Sequence, residues 1–172
     1  MSATTIQTKR LKLVPKTLEE VRAMVEAMNP SERALLSADW LTRLHAATSA
    51  DIWTHGFDLV FQDEGIIVGQ ASFTKPPAAD GVVEIAYRVT PDYQGRGFAT
   101  EAAQALVAFA FSSRRVCVVC AYTLPEANAS TRVLAKCGFR HIGEVTHPED
   151  GLVWLWEKHN EAASQITAQE AG

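Results

Sequence analysis

Hydrophobic and polar positions along the chain fall into two periods that change several times. Leu11 and Leu13 alternate with Arg10 and Lys12, a half-buried strand that Pro15 ends. Thr17 and Glu20 then stand at capping-box spacing before Leu18, Val21, Met24, Val25 and Met28, whose intervals predict a helix. Asn29-Pro30-Ser31 breaks that helix, and Ser31 is expected to cap a second one carrying Leu35, Leu36, Trp40, Leu41 and Leu44. From Gly56 the period shortens. Residues 57–62 and 66–74 read as strands joined through Asp63-Glu64-Gly65, and a third β-rich run, residues 82–89, follows a loop containing Pro76 and Pro77.

Helical spacing returns over residues 97–111 in Phe98, Ala102, Ala105, Leu106 and Phe109, and a strand follows at residues 116–122. Strand, helix and strand with short links predict a parallel βαβ unit. Residues 128–137 read as another helix, stopped by Gly138. Residues 139–145 and 152–156 read as a closing hairpin around Pro148-Glu149-Asp150-Gly151. The pattern gives one α+β domain over residues 1–160, with a polar tail, 161–172, expected to fray.

Composition narrows the function classes. A length of 172 residues suits one core, and 47% hydrophobic with 21% charged residues is a globular balance. The apolar runs are too short for a bilayer span and the first sixteen residues lack a signal-peptide core, so a cytoplasmic protein without membrane association is expected. A net charge of -4 lacks the footprint of a nucleic-acid binder and weakly favours an amine-bearing partner. Cys117 and Cys120 form a C-x-x-C string inside a β-branched run, where residues three apart face opposite ways. With Cys137 they are expected to be reduced thiols, and no metal site is expected.

Residues 83–102 carry the candidate chemistry: a strand runs into Gln94-Gly-Arg-Gly97-Phe-Ala99-Thr100, which opens a helix. Unpaired amides at a helix start attract anions, and Gly95 and Gly97 let a phosphate approach the backbone closely. A nucleotide-hydrolysing loop needs a Gly-Lys pair that the chain lacks. A dinucleotide fingerprint needs three correctly spaced glycines, and only Gly95 and Gly97 are present, followed by Ala99.

The segment Gln94–Ala99 resembles the Q/R-x-x-G-x-G/A signature of the GNAT (Gcn5-related N-acetyltransferase) superfamily. Thr8–Leu13 is similar to the opening strand of its RimJ/RimL-like branch, and Asn128–Phe139 to its N-x-S-x-R-V-L-x-K-x-G-F helix. The resemblance implies an α+β GNAT fold: one mixed, mostly antiparallel sheet with a central splayed parallel pair, flanked by about four helices. It implies acetyl-coenzyme A as cosubstrate, with backbone groups near Val89 holding the pantetheine arm. The amides of Gln94, Gly95, Arg96, Gly97, Ala99 and Thr100 would hold the pyrophosphate, and the Asn128 amide would meet the arm. The acceptor implied is a primary amine, on a peptide N-terminus or a small molecule. Homodimers occur in the family, and the residues leave oligomeric state open.

Attack on a thioester requires a neutral amine and a leaving thiolate that can be protonated. Glu84, the one acidic residue in its strand, is the candidate base, the alternative being a pairing with Arg88 on the same face. The tyrosine that many relatives use as acid is replaced by Leu134. Ser130, one turn earlier, is the candidate proton donor, the alternative being a helix cap, and Tyr122 is held in reserve. Arg132 is a candidate for a coenzyme phosphate and Trp40 for the acceptor pocket. Trp154 and Trp156 share a strand face and are expected to pack. Two other functions stay open: a coenzyme-binding module without turnover, suggested by Leu134, and an acyltransferase for a longer acyl group.

Overall fold

The structure, a computed structural model, describes residues 4–162. Most of the tail expected to fray therefore lies outside the described residues. The chain opens with β1 (Ile6–Gln7) and β2 (Leu11–Pro15), then α1 (Leu18–Ala27), α2 (Pro30–Ala34), α3 (Ala38–Ala46) and α4 (Ile52–His55). Next come β3 (Phe57–Phe61), β4 (Ile66–Phe73) and β5 (Val82–Val89), a 3-10 turn at Pro91–Tyr93, and α5 (Phe98–Ser112). The last elements are β6 (Val118–Thr123), α6 (Ala129–Lys136), β7 (Arg140–His147) and β8 (Gly151–His159).

All eight strands form one sheet in the order β1-β2-β3-β4-β5-β6-β8-β7. Every neighbouring pair is antiparallel except β5 and β6. The predicted fold class is thus observed, and the four longer helices, α1, α3, α5 and α6, account for the four expected. The closing hairpin is present, but its second strand, not its first, lies against β6.

The region before β3 differs from the sequence expectation. One helix was expected after Asn29, and the chain forms two. Asn29, rather than Ser31, caps α2, with Oδ1 accepting from the Glu32 amide and the Glu32 carboxylate accepting from the Asn29 amide. The turn at Leu35–Leu36 then stops α2, and the Ser37 side chain caps α3. Local capping wins here over an apolar period that runs through the break. The single turn of α4, capped by Asp51, carries too few residues to show a period.

The main core lies between the sheet and α5. Phe57, Phe73, Phe98, Leu59 and Leu106 are within 2% of complete burial, each stabilising the fold by roughly 1.5–3 kcal/mol. α5 buries Phe98, Ala102, Ala103, Leu106 and Ala110 against β5, β4 and β2. A smaller cluster, Val21, Val25 and Leu44 with Trp40 and Leu41 beside it, joins α1 to α3. Trp156 is buried and its indole N–H donates to Thr123 Oγ1 at 3.1 Å, so the alternating tryptophans of β8 do pack. Cys117 is exposed, Cys120 and Cys137 are buried, and all three are free thiols. Among the described residues no helix is long and apolar enough to cross a membrane.

Candidate active site

The parallel pair is short. Val82, Val83 and Glu84 pair with Val118, Val119 and Cys120, and there the pairing ends. From Ile85 to Val89 the other edge of β5 stays paired with β4, while β6 continues to Thr123 paired only with β8. The two strands therefore part beyond Glu84. Gly69 serves this arrangement: a Cβ there would sit 2.2 Å from the Arg88 carbonyl oxygen, so only glycine lets β4 close on β5 where β5 leaves β6.

A cavity of about 350 Å³ lies where the strands part, walled by Tyr87, Arg88 and Val89 of β5, the turn Tyr93–Thr100 without Arg96, and Ala129, Ser130, Arg132, Val133 and Lys136 of α6. Gly95 and Gly97 have φ of 75° and 84°, left-handed values that L side chains disfavour by roughly 1–2 kcal/mol. This path leaves donors free. Among the described residues the amides of Gly95, Arg96, Gly97, Phe98, Ala99 and Thr100 find no protein acceptor. The Gln94 amide is taken by the Pro91 carbonyl at 3.3 Å and its side-chain Nε2 by the Val89 carbonyl at 2.9 Å, so Gln94 braces the turn. With the positive end of α5 behind them and the cations of Arg132 and Lys136 across the cavity, these amides suit an anion such as a diphosphate.

Residues that the sequence did not single out hold this turn. Glu101 accepts from Thr8 Oγ1 and the Arg10 amide at 2.6 Å each and from Arg10 Nε at 2.9 Å, while Arg10 Nη1 donates to the Arg96 carbonyl at 2.8 Å. Burial pushes the Glu101 carboxyl up, but these hydrogen bonds from Thr8 and Arg10, with the guanidinium charge, outweigh it and hold the group below its ordinary value. The Arg10 guanidinium also lies 4.5 Å over the Phe98 ring, and that of Arg96 lies 5.2 Å over Tyr93. The Arg96 side chain is thus turned onto Tyr93, and Arg96 does not line the cavity. Asn128 does not line the cavity either: its Oδ1 accepts from the Thr131 amide as the cap of α6.

A second cavity, about 430 Å³, lies beside the first and shares Tyr87 and Arg88 with it. Its floor is Gln70–Thr74 and Ala86, and its walls include Met24, Leu35, Leu36, Trp40, His55 and Glu149. Trp40 is fixed there by its indole N–H, which donates to the Thr54 carbonyl at 2.7 Å. Behind Thr74 stands Glu84, whose Oε2 accepts from Thr74 Oγ1 at 3.1 Å. Burial pushes the Glu84 carboxyl up against the opposing effects of the Thr74 hydrogen bond and the charges of His147 and Lys75. No ion pair between Glu84 and Arg88 occurs among the described residues.

Leu134 is fully buried and offers no proton. Ser130 lines the first cavity beside Tyr87. Burial, with Cys137 nearby, drives the Tyr87 phenol above its ordinary range, and its interaction with Ser130 opposes this. Tyr87, on the buried face of β5, thus stays protonated where the cavities meet. Tyr122 packs 4.8 Å from His147 and is not part of either wall.

A family model described as an acetyltransferase (GNAT) domain matches residues 8–140. The chain is 33% identical over 87 residues to the uncharacterized N-acetyltransferase YnaD of Bacillus subtilis, covering 51% of this chain and 51% of that protein. It is 30% identical over 160 residues to FsC-acetyl coenzyme A-N(2)-transacetylase of Aspergillus fumigatus, covering 80% of this chain and 66% of that one. The matches to YnaD and to YjdG, both of Bacillus subtilis, span about half of those relatives' lengths. Among solved structures, RimL, a ribosomal L7/L12 N-acetyltransferase in complex with coenzyme A, superposes with a TM-score of 0.68 at 15% identity over 92% of this chain and 99% of that one. The aminoglycoside acetyltransferase AAC(6')-Ib with coenzyme A gives a TM-score of 0.65 at 18% identity over 90% and 98%, a likeness of fold. A free-amide turn between parted parallel strands, a family match over most of its length and this shared fold agree: the chain belongs to the GNAT acetyltransferase family.

Proposed function

We propose that the protein transfers acetyl from acetyl-coenzyme A directly to a primary amine, with both substrates bound at once. The observation that supports this most is the row of six free amides, Gly95 to Thr100, all but that of Arg96 on residues that line the cavity where β5 and β6 part. The coenzyme supplies the acetyl thioester. Gly95–Thr100 would hold its diphosphate, the β5 edge at Val89 its pantetheine arm, and Arg132 and Lys136 further phosphate charge.

The second cavity takes the amine, because it meets the first at Tyr87 and Arg88. Glu84, its carboxyl pushed above the ordinary value by burial and held by Thr74 behind the cavity floor, accepts the ammonium proton, directly or through a water. As the C–N bond forms and the C–S bond breaks, Ser130 at the start of α6 passes its proton to the departing sulfur and regains one from the reacting nitrogen, while the positive end of that helix stabilises the charge developing on sulfur. This hydroxyl on the cavity wall favours turnover over a binding-only module despite Leu134.

Calorimetry with acetyl-coenzyme A, followed by thiol release across an amine and peptide panel, tests the proposal. Binding with turnover of at least one amine is expected. Absence of coenzyme binding would remove it. Tighter binding and faster turnover with propionyl- or succinyl-coenzyme A would instead show a longer-chain acyltransferase.

A further inference from the structure

The walls of the second cavity are largely apolar. Apolar side chains face it from four elements: Met24 on α1, Leu35 and Leu36 on the turn after α2, Trp40 on α3, and Phe57 on β3. Leu35 is 86% exposed, an apolar side chain presented at the rim without packing duty in the fold. Charge is sparse and nearly balanced. Lys16 is paired with Asp58 at 3.4 Å, and burial holds His55 below its ordinary value, hence neutral, against the pull of Asp51. What remains is Arg88 at the junction, with Glu149 on the rim and Glu84 behind Thr74. One lining carboxylate, Glu149, set against one lining arginine, Arg88, offers a polycation little attraction, whereas a single amine can sit near Glu149 or over Thr74 with its body against the apolar wall.

From these walls we infer that the acceptor is a free primary monoamine on a compact apolar body, an aralkyl or branched alkyl amine, with Leu35, Leu36 and Trp40 setting the preference. The inference rests on the acetyl-transfer reading above. The cavity, about 430 Å³ in volume, has room for a single ring with a short chain. The amine end points toward the junction at Tyr87 and Arg88, where the thioester carbon arrives from the first cavity.

The test measures kcat/KM at saturating acetyl-coenzyme A for 2-phenylethylamine, isopentylamine, spermidine, kanamycin and a short alanyl peptide. The apolar monoamines are expected to exceed the other three by roughly tenfold or more. Leu35→Asp, at a position too exposed to affect folding, should raise the KM for 2-phenylethylamine about five- to tenfold by placing charge against the ring. Trp40→Ala should do the same, with the KM for acetyl-coenzyme A as the internal control. A higher kcat/KM for spermidine, kanamycin or the peptide would overturn the inference and leave acetyl transfer standing. Coenzyme binding without acetylation of any amine would overturn both.

Discussion

Replacing Gly97 with alanine perturbs the anion turn at one atom. Gly97 has φ 84° and ψ 6°, so alanine must carry a left-handed backbone at a cost of roughly 1–2 kcal/mol. The new Cβ would also stand 3.1 Å from Arg10 Nη2, displacing a guanidinium that holds the Arg96 carbonyl and Glu101. In a domain of this size the backbone cost alone lowers the melting temperature by roughly 2–8 °C. Each amide turned away from a diphosphate forfeits about 1.5–3 kcal/mol, so coenzyme affinity should fall at least tenfold. Gly151→Ala is the control. Its φ of 74° carries the same backbone cost, no atom lies within 4 Å of its Cβ, and it sits in the β7–β8 turn, outside the first cavity. Thermal melts and calorimetry with coenzyme A should show similar melting losses for both variants and a lost affinity for Gly97→Ala alone. Equal affinities in the two folded variants would refute the role given to this turn.

Three further variants test the site. Glu84→Gln should lower kcat by about 100-fold or more, as expected for loss of a general base, and abolish the acid limb of the pH profile, which in the wild type lies above the ordinary carboxylate range. Because the folded-state value is raised, wild-type stability declines as pH rises from the ordinary carboxylate range through that value. Glu84→Gln should therefore melt higher than wild type at pH 8 and equally at pH 4. Ser130→Ala should reduce kcat by about 100-fold with little change in the KM for acetyl-coenzyme A, measured by steady-state thiol release. Asn128→Ala removes the α6 cap and should cost about 1 kcal/mol in a denaturant titration, with only a small change in coenzyme affinity because its Oδ1 serves the helix.

What the sequence could show was local. Thr17 and Glu20 sit three residues apart and form the capping box their spacing predicts. The alternation at Leu11 and Leu13 places both at complete burial. Gly95 and Gly97 reveal a turn needing positive φ, and both adopt it. The helix break at Leu36 was hidden because apolar residues continue across it at helical spacing, and only the Ser37 cap marks the restart. Arg10 and Glu101 were missed for a different reason. They are 91 residues apart, and their meeting depends on β2 lying against α5, which no short window encodes. Tyr87 carries no motif of its own in the strand that holds it. Its place at the meeting of two cavities comes from the parting of β5 and β6, a property of the sheet as a whole.

Amide NMR during titration with coenzyme A reads the main-chain amides of the anion turn directly. The amides of Gly95, Arg96, Gly97, Phe98, Ala99 and Thr100 should shift together and saturate at one equivalent, while the Gln94 amide, already bonded to Pro91, moves less. Saturable binding that shifts amides elsewhere and leaves these six unmoved would contradict the binding of a diphosphate at this turn.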